Sequence, residues 1–377
     1  MIRPYRLYLS LGSNQDNRFE MLQKASQLVF KEIGTVNAIS NIYETPALGF
    51  VGADFLNLCM EVLTFYEANE VLLRLLQIEK DLGRERDNKK GYSSRSIDID
   101  ILFYDELVIA SKNLSLPHPR LQDRLFVLKP LSELNSDLIH PVLQKSIKEL
   151  EIVCDDSSSL KIYPQKLTLP SYNIDLSSFN YIAIEGNIGA GKTTLASMMS
   201  VDFNARLILE RFADNPFLPK FYEDPKRFAF TLEMSFLADR YQRISDDLSQ
   251  LDLFSDFIVS DYDIYKSLIF SKITLEPDEF KLYRTLFKLM YKDIAVPDLY
   301  IYLYQSSEQL KSNIKKRGRD YEQQIELEYL EKINSGYLEF LKSQKEMRVK
   351  IIDITSRDFV SNRSDYFWLL NQIASKD

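Results

Sequence analysis

The run Gly186-Asn187-Ile188-Gly189-Ala190-Gly191-Lys192-Thr193 constrains this chain more than any other stretch. It fits the pattern G-x-x-x-x-G-K-[ST], which binds phosphate only when it links a strand to a helix. The flanks meet that demand. Tyr181-Ile182-Ala183-Ile184-Glu185 reads as a buried strand, and Thr194-Leu195-Ala196-Ser197-Met198-Met199 reads as the opening of a helix. Backbone N–H groups of such a loop, helped by the helix N-terminus, cradle phosphate oxygens. The expected contacts with ATP are therefore Gly186, Asn187, Gly189, Ala190, Gly191, Lys192, Thr193 and Thr194. Lys192 is expected to reach the β- and γ-phosphates, and the Thr193 hydroxyl to ligate Mg²⁺. The competing reading is a glycine-rich turn with an incidental lysine.

At 377 residues the chain is too long for one ordinary core. The polar, broken stretch Asp155-Asp156-Ser157-Ser158-Ser159, followed by Pro164, Pro170 and Ser177-Ser178, marks the division. The expectation is one domain over residues 1–158, a linker over 159–178 and a second domain over 179–377. No internal repeat links the halves, so two different folds are expected. No apolar run approaches the roughly 20 residues that span a bilayer. Met1-Ile2-Arg3-Pro4-Tyr5 lacks the pattern of a secretion signal, and Cys59 and Cys154 sit far apart in apolar settings. These features predict a cytoplasmic protein with reduced thiols and no membrane partner. A net charge of −8 argues against a nucleic-acid coat and favours small phosphorylated ligands.

In the first half, Tyr5 to Leu11 alternates as a strand and runs into Gly12-Ser13-Asn14, and Met21, Leu22, Ala25, Leu28 and Val29 fall at helical spacing. Further strands are predicted at Val36–Tyr43, Phe55–Leu63 and Ile97–Phe103, with a helix from Ala68 to Leu82. Strands and helices with short links predict an α+β sandwich. The chemistry concentrates in Ser96-Ile97-Asp98-Ile99-Asp100-Ile101. Residues two apart on a strand share a face, so Asp98 and Asp100 project together, opposite Ile97, Ile99 and Ile101. Two such carboxylates repel unless a cation lies between them, and hard oxygens of this kind suit Mg²⁺. An edge strand with a solvated polar face is the alternative. Arg84, Arg86 and Arg95 lie just upstream and suit a polyphosphate.

These segments resemble the 6-hydroxymethyl-7,8-dihydropterin pyrophosphokinases over about residues 5 to 150. The likeness is carried by Gly12-Ser13-Asn14, Tyr43-Glu44-Thr45-Pro46-Ala47-Leu48-Gly49, Asp54-Phe55-Leu56-Asn57, Glu79 through Arg84, Arg95 through Asp100, and Pro117-His118. The resemblance implies a ferredoxin-like fold and transfer of pyrophosphate from ATP to the pterin hydroxyl, in folate biosynthesis. It implies Mg²⁺ on Asp98 and Asp100, catalytic Arg84 and Arg95, and ATP phosphates on His118 and Arg124. The pterin is implied to stack between Phe55 and Phe126, with Asn57, Thr45 and Leu48 lining its pocket. The family's aromatic-Gly-Pro-Arg run reads Tyr92-Ser93-Ser94-Arg95 here, a departure that bears on how the loop closes.

In the second half, Arg206-Leu207-Ile208-Leu209-Glu210 reads as a strand ending in a carboxylate. Leu232 to Arg240 reads as a helix, Phe257 to Ser260 as a strand ending at Asp261, and Leu299 to Leu303 as a third strand. A basic helix carrying Lys315, Lys316, Arg317 and Arg319 follows. Alternation of this kind around a phosphate loop predicts an α/β domain with a parallel sheet. The order resembles the deoxynucleoside kinases over about residues 180 to 345. The resemblance implies a P-loop kinase acting on a nucleoside 5′-hydroxyl, with Glu210 as general base, Asp261 helping to hold Mg²⁺, and Arg317 and Arg319 as lid arginines. Tyr222 and Glu322 are implied to bind the sugar 3′-hydroxyl, and Glu233 to stand at the position of a base-reading glutamine. A homodimer through this domain is also implied.

Two departures bear on the substrate. Tyr262 replaces an arginine found in many members, so another cation must supply its contact. Glu233, when ionised, can only accept hydrogen bonds. It therefore favours a donor-rich base edge and predicts a purine, deoxyguanosine first. The expectation is thus a bifunctional enzyme using Mg-ATP twice. The alternative keeps one half catalytic and makes the other a nucleotide- or pterin-binding regulatory module. A polynucleotide-binding ATPase is disfavoured by the acidic charge.

Overall fold

The computed structural model describes residues 3–47, 51–84, 94–211, 215–249, 255–292, 294–345 and 347–375. Leu48, Arg86, Tyr92 and Ser93, all singled out in the sequence, lie outside these described residues. Two compact units divide the chain between Asn173 and Ile174.

The first unit runs β1 (Tyr5–Ser13), α1 (Arg18–Glu32), β2 (Thr35–Ile39), β3 (Tyr43–Thr45), β4 (Phe55–Thr64), α2 (Ala68–Asp81), β5 (Asp98–Tyr104), β6 (Ile109–Ala110), β7 (Ser115–Leu116), α3 (Leu125–Asn135), α4 (Ile147–Val153) and β8 (Lys161–Ile162). Its antiparallel sheet has the order β5-β1-β4-β3-β8, and β2 also pairs with β4. The single strand expected over Val36–Tyr43 is two strands. Between them the Ser40 hydroxyl accepts from Cys59 N–H and replaces a ladder bond, so the chain breaks step and resumes at Tyr43. Most of the stretch expected as a linker packs on this unit. β8 extends the sheet beside β3, Thr168 exchanges hydrogen bonds with Gln23, and Tyr172 packs edge-on to Phe30. Short polar segments of this kind read as linkers because their partners lie more than a hundred residues away.

The second unit runs β9 (Tyr181–Gly186), α5 (Lys192–Asp202), β10 (Arg206–Ile208), α6 (Leu218–Glu223), α7 (Pro225–Ser249), β11 (Ile258–Ser260), α8 (Lys266–Thr274), α9 (Pro277–Met290), β12 (Leu299–Tyr304), α10 (Ser307–Arg317), α11 (Leu327–Ser343), β13 (Val349–Asp353) and α12 (Arg363–Ala374). Its five strands are all parallel, in the order β10-β11-β9-β12-β13. Ligands of such sheets bind beyond the carboxyl ends of the strands, where the order reverses. The phosphate loop after β9 lies at that place. The basic helix is shorter than expected. Gly318, left-handed at φ +74°, caps α10, so Arg319 sits beyond its end. Among the described residues no helix is long and apolar enough to cross a membrane.

One close approach fixes how α1 returns to the sheet. A Cβ on Gly34 would lie 2.0 Å from the Leu63 carbonyl oxygen, while the Thr64 hydroxyl donates to Ile33 O. Gly34→Ala should therefore cost about 1–3 kcal/mol through overpacking. The expected outcome is a lower unfolding temperature for the first unit in calorimetry.

Candidate active sites

In the first unit β5 pairs with β1, and the strand alternation turns Ile99 and Ile101 into the core while Asp98 and Asp100 face a cavity of about 680 Å³. The cavity is also lined by Arg84, Arg95, His118, Arg124, Thr45, Phe55, Asn57 and Phe126. Every expected first-half site residue that is described therefore converges on one space. Gly12 on β1 is required beside it, since a Cβ there would meet Asn57 Oδ1 at 2.8 Å. The Asn57 amide in turn donates to Thr45 Oγ1 at 2.8 Å, which fixes both side chains.

Charge governs the rest of this cavity. Asp98 is held by Arg84, at 2.6 Å, and by Arg95. Among the described residues Asp100 has looser partners, His118 Nε2 at 3.7 Å and Arg124 Nη1 at 3.9 Å. Burial and the neighbouring Asp98 push the Asp100 carboxyl up to about 6. Behind them the buried Glu79 accepts from Ile99 N–H at 2.8 Å and pairs with Arg84. It thus ties the arginine to the strand that bears the aspartates. Sequence reading took Glu79 as part of a matching stretch but gave it no role. Lys112 and Arg120 also line the cavity and were not anticipated.

His118 is neutral. Burial, then the charges of Arg124 and Arg120, lower its pKa to about 4. Its Nδ1 accepts from Arg120 N–H at 3.3 Å, so Nε2 carries the proton and points it toward Asp100. The sign follows: a depressed pKa means stability that is full above the unfolded value of about 6.5 and is lost as pH falls toward about 4. In a proton NMR titration one of the chain's two histidines, assigned through His118→Asn, should show a midpoint near 4.

In the second unit a smaller cavity, about 110 Å³, gathers Gly189, Lys192, Thr193, Glu210, Tyr222, Glu233, Asp261, Arg317, Arg319 and Glu322. Gly189 and Gly191 have φ +86° and +83°, and a Cβ on Gly191 would lie 2.7 Å from the Phe359 ring. Glycine is thus required there by both backbone and space. Lys192 Nζ lies on the carbonyls of Gly186 and Asn187, and burial, then Lys266, lowers its pKa to about 8. The Asn187 side chain faces away from the loop's anion side. It donates to Leu330 O and Asn334 Oδ1 and so pins the loop to α11.

Thr193 Oγ1 donates to Asp261 Oδ2 at 2.5 Å, and Asp261 Oδ1 accepts from Glu210 N–H at 2.7 Å. Strand β10 stops at Ile208, two residues before Glu210, so the carboxylate stands on the turn beyond the sheet. Its side chain is 7% exposed and is clamped by Arg240, at 2.5 Å, and by Lys266, at 2.6 Å. Burial alone would raise its pKa, but these two cations hold it down at about 2. Neither cation was anticipated, because each lies tens of residues downstream. Tyr262, which follows Asp261, is fully buried in the core. Arg317 and Arg319 both converge on Glu322, and Tyr222 stacks on Tyr321 at 6.1 Å. The cavity is smaller than the roughly 300–1,000 Å³ of typical ligand sites, and Arg240 and Lys266, paired with Glu210, are among its lining residues.

A family model for deoxynucleoside kinase matches residues 182–376, just over half of the chain, and one for 7,8-dihydro-6-hydroxymethylpterin-pyrophosphokinase matches residues 8–136. The chain belongs to both families. The kinase half is 41% identical over 190 residues to a deoxyguanosine kinase of Bacillus subtilis, covering 49% of this chain and 92% of that relative. It is also 35% identical to a deoxyadenosine kinase of Dictyostelium discoideum, covering 48% and 74%. The pyrophosphokinase half is 39% identical over 146 residues to a 2-amino-4-hydroxy-6-hydroxymethyldihydropteridine pyrophosphokinase of Aquifex aeolicus, covering 38% of this chain and 89% of that protein. Two phosphate-transferring enzymes are therefore fused in one chain.

Proposed function

We propose that the first half transfers pyrophosphate from ATP to 6-hydroxymethyl-7,8-dihydropterin, and that the second transfers the γ-phosphate of ATP to the 5′-hydroxyl of a purine deoxynucleoside. The first reading is carried by one observation: Asp98, Asp100, Arg84 and Arg95 share a cavity with Phe55, Phe126, Asn57 and Thr45. Anionic phosphates and a flat, hydrogen-bonding ring then have adjacent places. Arg84, Arg95 and Arg124, with the neutral His118, contribute charge and hydrogen bonds to the phosphates as the β-phosphorus is attacked. The order β5-β1-β4-β2 around the β1-α1-β2-β4-α2-β5 succession supports a ferredoxin-like fold.

The second reading is carried by the run of contacts Thr193–Asp261–Glu210 beside Lys192. Glu210 is the general base of this reading. A substrate hydroxyl reaching it displaces Arg240 or Lys266, which frees a carboxylate lone pair for the proton. In this reading Arg317 and Arg319, released from Glu322, cover the γ-phosphate, and Tyr222 and Glu322 meet the sugar, a reading supported by their sharing one cavity. Lys266 supplies the cation that Tyr262 does not. The names of the relatives support a purine.

Both sites suit Mg²⁺. Asp98 and Asp100 repel, as the raised Asp100 carboxyl records, and Thr193 and Asp261 bring hard oxygens together. Among the described residues no three His, Cys, Asp or Glu side chains converge as a metal cage. A cation held there would need phosphate oxygens and water to complete its shell, which suits Mg²⁺. Bound there, it would neutralise phosphate charge. A cytoplasmic setting suits the free thiols of Cys59 and Cys154. Exposed Leu282 and Leu289 on α9, with Tyr241 on α7, support a homodimer through the kinase half. Light scattering should then give twice the chain mass of 44.1 kDa.

Product analysis with Mg-ATP tests the two reactions separately. The pterin should yield AMP and a deoxynucleoside ADP. Asp98→Asn should cut only the first rate and Glu210→Gln only the second, each by about 10²–10⁴-fold. If either substrate is inert with the unaltered chain, that half is a binding module.

A further inference from the structure

Glu233 on α7 is a buried carboxyl whose two oxygens differ. Oε1 accepts from the Thr274 hydroxyl at 3.0 Å, whereas Oε2 is buried at the wall of the second cavity without a hydrogen-bond partner among the described residues. A buried polar atom left in this way costs free energy until something meets it. Apolar Leu232, Phe236 and Phe270 surround it along the same wall. That is the setting for a flat base whose edge makes the missing bond.

Thr274 makes both charge states of Glu233 tolerable. Its hydroxyl oxygen, with a single proton to give, lies 3.0 Å from both Glu233 Oε1 and the Phe270 carbonyl oxygen. Given to Glu233, the proton satisfies a carboxylate. In the neutral acid the carboxyl proton sits on Oε2, facing the cavity, while Oε1 still accepts from Thr274. No side chain has to move between the two arrangements.

We infer that Glu233 selects the purine by whether its carboxyl carries a proton. The inference rests on the reading of this half as a purine deoxynucleoside kinase. Guanine offers two donors side by side, N1–H and the 2-amino group, which a carboxylate accepts together. Adenine offers an acceptor, N1, beside a donor, the 6-amino group. Only the neutral acid matches that pair, donating through one oxygen and accepting through the other. Mismatch places two lone pairs or two protons face to face in a dry site, where discrimination is steep.

The surroundings keep both states within reach near neutrality. Burial raises the Glu233 carboxyl to about 7, against the lowering charges of Arg240 and Lys266 and the Thr274 bond, with Glu210 adding to the rise. Tyr283 on α9, Tyr222 on α6 and Tyr329 on α11 face it with pKa values raised by burial, so they stay neutral. Arg317, Arg319 and Glu322 stand in the same cavity. All of these act on phosphoryl transfer alike for either base, so their effects cancel in a ratio of two substrates.

The test is the ratio of kcat/KM for deoxyguanosine to that for deoxyadenosine, measured with the full chain and Mg-ATP from pH 6 to 8. If each base is taken by one protonation state only, the ratio rises tenfold per pH unit, about 100-fold over the range. Glu233→Gln carries a fixed donor and acceptor, so its ratio should favour deoxyadenosine and stay flat with pH. The inference is overturned by a flat ratio in the unaltered chain, or by a Gln variant that keeps the original ratio and slope. If neither deoxynucleoside yields ADP at any pH, the purine kinase reading itself fails and takes this inference with it.

Discussion

Charge that cannot be buried alone organises both halves of this chain. A carboxylate taken out of water costs several kcal/mol unless cations and hydrogen bonds compensate it. Glu210 meets that condition with Arg240 and Lys266, and Asp98 meets it with Arg84 and Arg95. Each clamp concentrates cations at the place where the proposed reactions bring phosphate. The same contacts that let these carboxylates be buried therefore prepare the sites for anions.

Two unrelated scaffolds deliver this arrangement by different geometry. In the antiparallel sheet the pleat of β5 presents two carboxylates on one face, and Glu79 locks an arginine to the same strand. In the parallel sheet the site forms beyond the strand ends, where Glu210, Asp261 and the phosphate loop leave β10, β11 and β9. Strand alternation places side chains in the first case and chain reversal places turns in the second. The remaining asymmetry is in Asp100 and Glu233, two carboxyls that burial raises despite the cations around them. These are the groups left for ligands to complete.

Local features were legible before the fold was known. The phosphate loop could be read because strand, loop and helix are contiguous, and the Asp98–Asp100 face because a period of two needs only three residues. Boundaries were less legible. The break at Ser40 depends on Cys59, and the ordered stretch from 161 to 172 depends on Tyr43, Gln23 and Phe30. Arg319 was read onto a helix because a basic run has helical propensity, but the left-handed Gly318 ends that helix first.

The sequence by itself determined that the chain carries two phosphate-handling halves and which residue types each offers, since motif spacing and strand period are local properties. Only the tertiary structure decided which groups meet. Arg240 and Lys266 look like ordinary surface cations in the text, yet they clamp Glu210 across 30 and 56 residues of chain. Thr274 finds Glu233 across 41. Charge compensation acts through a few ångströms of space whatever the sequence separation, so ionisation and hydrogen-bond state belong to the fold, even where the chemistry of the side chain is already written in the sequence.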